Sequence, residues 1–168
     1  GNILAGFLAK KMGLPINKLI CASNDNKVLT DFFNNKEYNK NRKFIKTSSP
    51  SMDILVSSNL ERLLYYSSFD VNKVNELMNE LDKSGVYTVS EDFLETLGQF
   101  KAYSATEAEV SEAINDVYQS YDYLIDTHTA VGYCAYQKYL ADSKDKTKTV
   151  VVSTAHPYKF PKSITKAI

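Results

Sequence analysis

The sequence predicts an α/β chain, a parallel sheet with flanking helices, interrupted by a mainly helical segment. Three observations carry this. Near the start, an apolar helical stripe, a short apolar run and a cluster of turn residues follow in the order helix, strand, turn, helix. Between Ser51 and Tyr118 the apolar residues recur mostly at helical spacing. Near the end, Thr149-Val150-Val151-Val152-Ser153 has the composition of a strand and follows another helical stretch. The expected divisions are residues 1–47, an α/β part, residues 48–122, a helical insertion or subdomain, and residues 123–168, a return to α/β.

The first helix is expected over residues 2–12, where Ile3, Leu4, Phe7, Leu8 and Met12 form one buried stripe. Gly13 ends it and Pro15 follows at the usual distance. Leu19-Ile20-Cys21-Ala22 reads as a buried parallel strand, with Ser23-Asn24-Asp25-Asn26 supplying the turn after it. A second helix spans about 27–33 and runs into the polar stretch 34–43. In the middle, Ile54, Leu55, Leu60, Leu63 and Leu64 place a helix within 51–66, and a second runs over 71–81 to the Ser84-Gly85 stop. A short helix is expected near 90–97 and a short extended piece over 100–103. The pattern Ser104-Ala105-Thr106-Glu107 has the form of a capping box and announces a helix over about 107–118. Asp126 caps a helix over about 127–141 that buries Val131, Cys134, Ala135 and Tyr139. The strand 149–153 follows a polar loop, and Pro161 sits at the favoured start of a final helix.

Composition narrows the function classes. With 168 residues, 43% hydrophobic and 24% charged, the chain is long enough for an ordinary core, burying roughly 68–70% of its extended surface. Twenty basic and twenty acidic residues balance, which argues against a nucleic-acid partner. No run of 18 apolar residues occurs, so no membrane helix is expected. Lys10-Lys11 follow the first apolar residues rather than precede them, unlike a secretory leader. Cys21 and Cys134 stand far apart in apolar surroundings and are expected to be buried thiols in a reducing, cytoplasmic setting. His128 and His156 have no partners at metal-ligand spacing, so no metal is expected.

Two segments carry chemistry. Gly1-Asn2 leads straight into a helix, where backbone amides gather around an anion. Ser153-Thr154, at the end of the expected strand, can present a hydroxyl to a ring nitrogen. Taken with Ser49-Pro50-Ser51-Met52-Asp53-Ile54, Ser58-Asn59-Leu60-Glu61-Arg62, His128-Thr129-Ala130-Val131-Gly132 and Ser153-Thr154-Ala155-His156-Pro157, the chain resembles threonine synthase, among the pyridoxal-phosphate enzymes of fold type II. The segments 1–6, 10–15, 19–24, 31–33 and 159–160 share in that resemblance. Asp126-Thr127-His128 departs from the family's Asp-Pro-His form.

The resemblance implies a chain from the large domain of a fold type II enzyme, acting on O-phosphohomoserine and water to give threonine and phosphate. Gly1 and Asn2 match the last two residues of the family's Gly-Asn-Phe-Gly-Asn phosphate loop, and their amides would bind the phosphate of pyridoxal phosphate. Thr154 matches the residue whose hydroxyl faces the pyridine nitrogen, with Ser153 the alternative one position away. A neutral hydroxyl there exerts none of the charge effect of a carboxylate. None of the lysines matches the family's cofactor-bearing lysine, so no catalytic residue is assigned. The chain opens within an expected binding loop and without methionine. It is therefore expected to be the C-terminal part of a larger enzyme, inactive alone and prone to self-association through the surface meant for the missing N-terminal part. His128 is expected to serve the fold, and His156-Pro157 to shape the turn after the strand. Alternatives are another fold type II enzyme, such as a dehydratase or sulfhydrylase, and a non-catalytic α/β domain binding a ligand or partner.

Overall fold

The computed structural model describes residues 1–90, 93 and 100–168. Its elements are α1 (Asn2–Lys11), β1 (Leu19–Ser23), α2 (Val28–Asn35), β2 (Glu37–Asn39), α3 (Ser58–Ser68), α4 (Val71–Ser84), β3 (Val86–Thr88), β4 (Phe100–Ser104), α5 (Glu107–Tyr121), α6 (Thr127–Ser143) and α7 (Pro161–Ala167). Single 3-10 turns form at Pro50–Met52 and Pro157–Lys159. β1 pairs with β4, and Ala105 N donates to Ser23 O (2.9 Å) where the C-terminal ends of both strands meet. They therefore run parallel, as the α/β expectation requires. No helix among the described residues is long and apolar enough to cross a membrane.

The chain forms two compact units. The first comprises Gly1–Cys21, Val28–Lys43 and Ile54–Ala102. Its core gathers Phe7, Phe32, Tyr38, Leu63, Leu64 and Tyr87, all at 1% exposure or less. β2 and β3 are antiparallel, with Tyr38 opposite Tyr87, and the two rings stack at 5.2 Å. Phe32 meets both edge-on at 6.0 Å, the offset geometry that aromatic quadrupoles favour. The Tyr38 hydroxyl donates to Leu55 O and accepts from Ser57 N, each at 2.9 Å. Ser57 in turn caps α3 through Leu60 N.

Gly85 closes α4 in the left-handed conformation at φ +79, where an added Cβ would stand 2.1 Å from Asn41 Oδ1. Asn41 Nδ2 donates to Ser84 O at 2.7 Å across the same corner. Gly85→Ala should therefore cost about 1–2 kcal/mol for the left-handed backbone, with the displaced Asn41 adding to it. A urea midpoint equal to that of the unaltered chain would show this corner to be unconstrained.

The second unit comprises Ala22–Lys27, Phe44–Asp53 and Tyr103–Ile168. α5, α6 and α7 supply its core, with Val110, Ile114, Val117, Ala130, Val131 and Ile164 buried. The N-terminal turns of α6 are buried through Thr127–Val131, in addition to the expected Val131, Cys134, Ala135 and Tyr139. Asp126 caps this helix as expected, despite the departure at Thr127. Burial pushes Cys21 up to about 12 and Cys134 up to about 11, so both are protonated thiols at neutral pH.

Several local expectations need correction. Residues 149–153 do not form a strand. A strand needs a neighbour for its amides and carbonyls, and the two sheets described each hold two other strands. Val150 and Val152 are 85% and 57% exposed, whereas Val151 lies against α6, with its Cγ1 3.4 Å from an ideal Cβ on Gly132. The helix expected within 51–66 begins only at Ser58, because residues 50–52 form a 3-10 turn led by Pro50. The capping box is Thr106 with Glu109, two residues later than the pattern read from Ser104. The polar stretch 34–43 contains β2, which was not expected. The helix expected near 90–97 falls largely outside the described residues.

Candidate functional site

Gly1 is the N-cap of α1 and provides no side-chain cap. The first intrahelical bond runs from Ala5 N to Gly1 O (2.9 Å), so the amides of residues 2–4 precede the helix's own ladder. The first turn contains no acidic residue, while Lys10 and Lys11 occupy the last turn. By contrast, α3, α4, α5 and α6 are each capped by a side-chain oxygen. An end with backbone donors, a favourable dipole and no competing carboxylate fits a phosphate group. Gly1 lines a small recess with Ile3, Leu4, Ser57, Asn59 and Leu60, all within the first unit.

Thr154 belongs to the second unit and is exposed. Its neighbour Ser153 faces α6, where Thr129 Oγ1 lies 3.0 Å from Ser153 Oγ. Val151 and Ser153 thus turn toward α6, and Val150 and Val152 turn away. Of the two candidate hydroxyls, Ser153 is engaged with Thr129, and Thr154 lies one residue further on.

The N-terminus of α6 carries one of the two dense polar clusters described in this unit. The Asp126 side chain is fully buried. Its Oδ1 accepts from His128 N (2.8 Å), His128 Nδ1 (3.1 Å) and Thr129 N (3.4 Å), and its Oδ2 accepts from Thr129 Oγ1. Burial alone would raise the carboxyl. The hydrogen bonds from Thr129 and His128 outweigh burial and hold it below the ordinary aspartate range. His128 Nε2 accepts from Ser51 N at 3.2 Å, which places the ring proton on Nδ1, facing Asp126. Both nitrogens are committed and the ring packs on Phe160 at 4.9 Å, a role in the fold. His156 caps the 3-10 turn at Pro157–Lys159, its Nδ1 accepting from Tyr158 N at 3.3 Å.

The turn after β1 carries a second polar cluster. Asn24, fully buried, places Nδ2 within 3.0 Å of Thr47 Oγ1, Ser49 Oγ and Asp53 Oδ1. Asn26 exchanges bonds with the backbone of Ile45 at 2.6 and 2.8 Å. Thr47 N donates to Asp53 Oδ2 at 2.9 Å. Together these groups pin residues 45–53 beneath the C-terminal end of β1, where ligands of α/β sheets gather.

The threonine synthase C-terminal family profile matches residues 129–168. Threonine synthase of Saccharomyces cerevisiae is 40% identical over 184 residues, covering 100% of this chain and 36% of its own length. The solved structure of pyridoxal-phosphate-bound threonine synthase from Brucella melitensis superposes with a TM-score of 0.89 at 39% identity. That superposition covers 98% of this chain and 35% of the Brucella chain.

Over its whole length the chain is similar to part of threonine synthase. Threonine synthase-like 1 of Macaca fascicularis is 45% identical over 173 residues, all of this chain and 23% of that protein. The chain thus spans roughly a quarter to a third of the length of these curated relatives. Within this portion, sequence reasoning gave roles to Gly1, Asn2 and Thr154, and quoted Thr129, Asn24 and Asp53 within its motifs without roles. Thr129 stands three residues after the Asp126 cap, a spacing that places its hydroxyl within reach of the carboxylate. That spacing was the available signal. Asn24 gives none, because its partners lie 23 to 29 positions away.

Proposed function

We propose that this chain supplies part of the pyridoxal-phosphate pocket of a threonine synthase, a lyase that converts O-phosphohomoserine and water to threonine and phosphate. The observation that carries the proposal is the whole-chain match at 40% identity to the yeast threonine synthase. The cofactor-bound Brucella structure, similar over 98% of this chain, supports it. Bound pyridoxal phosphate would supply the electron sink for carbanion chemistry. The amides at Gly1 and Asn2 would hold its phosphate, aided by the α1 dipole. Thr154 would face the pyridine nitrogen with a neutral hydroxyl, which orients the ring without forcing a proton onto it. Residues 1–47 and 123–168 would form the cofactor-facing parts and 48–122 the helical insertion.

The cofactor-bearing lysine would come from a part of the enzyme outside these 168 residues, and so would the surface that completes the pocket. The isolated chain would self-associate and be inactive, and the intact enzyme would work in the cytoplasm. In the intact enzyme, Thr154→Val should lower kcat roughly tenfold, the equivalent of one hydrogen bond at about 1.4 kcal/mol. The variant should keep its fold, because the residue is exposed. Unaltered turnover would refute the assignment of Thr154. Threonine production from O-phosphohomoserine by the 168 residues alone would refute the division of the site.

A further inference from the structure

Residues 149–153 lack a strand ladder, and two contacts hold the segment that leads into Thr154, both to one face of α6. Val151 packs on Gly132, where an added Cβ would stand 3.4 Å from Val151 Cγ1. Ser153 Oγ lies 3.0 Å from Thr129 Oγ1. Thr129 and Gly132 are one turn apart, so both contacts use the same side of the helix. Thr129 Oγ1 is the donor atom toward both Asp126 Oδ2 and Ser153 Oγ, and shares its single proton between them. Asp126 cannot rotate away, because its other oxygen accepts from His128 N, His128 Nδ1 and Thr129 N. The relay Asp126, Thr129, Ser153 is thus anchored at a buried helix cap and ends one residue from Thr154.

We propose that Thr129 is a positioning residue for Thr154: oriented by Asp126, its hydroxyl holds Ser153 so that the Thr154 hydroxyl is presented to the cofactor ring. Ser153 then serves as the tether and not as the ring partner. Its side chain faces α6, whereas Thr154, the next residue, is exposed. This inference rests on the assignment of Thr154 made above.

The test uses the full-length enzyme loaded with pyridoxal phosphate and the variants Thr129→Val, Thr129→Ser, Ser153→Ala and Thr154→Val. Three quantities are read: amide hydrogen exchange over residues 151–155, the absorption spectrum of the bound cofactor, and kcat against KM. Thr129→Val and Ser153→Ala should speed exchange over this segment about tenfold, the loss of one hydrogen bond. They should also shift the spectrum in the same direction as Thr154→Val and lower kcat, with KM within twofold. Thr129→Ser keeps the hydroxyl and should restore all three. Ser153→Ala alters an exposed side chain, so it reports even if Thr129→Val folds poorly. Unchanged exchange in Ser153→Ala would overturn the tether. Faster exchange with an unmoved spectrum, while Thr154→Val moves it, would overturn the positioning role. A spectrum unmoved by Thr154→Val itself would overturn the assignment of Thr154, and the inference with it.

Discussion

Phe32→Ala should cost the first unit about 3–5 kcal/mol, the range for removing a fully buried aromatic ring. Phe32 has no exposed surface and touches Phe33, Tyr38 and Tyr87 through edge contacts at 5.4 to 6.0 Å. Its loss opens a cavity beside the Tyr38–Tyr87 pair, the cross-strand contact that joins β2 to β3. Two strands of three residues each hold few ladder bonds, so their pairing depends on this packing. The chain has twelve tyrosines and no tryptophan, so urea unfolding can be followed by tyrosine fluorescence and near-ultraviolet circular dichroism. A loss below about 1.5 kcal/mol would mean that the cluster repacks around the gap, as volume-tolerant cores do.

Asp126→Asn should destabilise the second unit by about 2–3 kcal/mol at neutral pH, the scale of buried hydrogen bonds to a charged group. The difference should also depend on pH in a defined direction. The folded carboxyl sits below its unfolded value, so its stabilisation is complete above the unfolded pKa of about 3.9. It is then lost as pH falls through the lower folded value. Unaltered protein and variant should therefore converge as the pH is lowered below about 4. Urea midpoints measured from pH 7 to pH 2 test this. A constant gap across that range would show that Asp126 acts through shape rather than charge.

The elements most legible in the sequence were those whose signals are local. The run Leu19–Ala22 with its following turn residues gave β1, and Asp126 before an apolar stripe gave α6, because a cap and its helix lie within a few positions. β2 was not legible. Tyr38 sits in a polar stretch, and the residue that makes it a strand position, Tyr87, lies far along the chain. The segment 149–153 failed for the opposite reason. Its valines have strand propensity, but propensity supplies no neighbour, and α6 takes only every second side chain. Within the candidate site, the α1 end and Thr154 came from resemblance to a family. The Asn24 cluster is assembled from partners scattered over residues 45–53, so no local pattern could announce it.

The second unit is discontinuous in the chain, and this orders its assembly on the ribosome. Glu107 N reaches Asp25 across 82 positions, Thr127 Oγ1 reaches Ser48 O across 79, and Ser51 N reaches His128 across 77. Residues 22–27 and 44–53 therefore leave the exit tunnel long before the helices they join. The first unit has all of its residues once Ala102 is synthesised, whereas the second must wait for α6 and α7. Such distant closures slow folding, and the buried Asp126 carboxylate gains its partners His128 and Thr129 only as α6 forms. During translation, residues 22–27 and 44–53 are made together with the first unit, and become core only once α6 and α7 have been made.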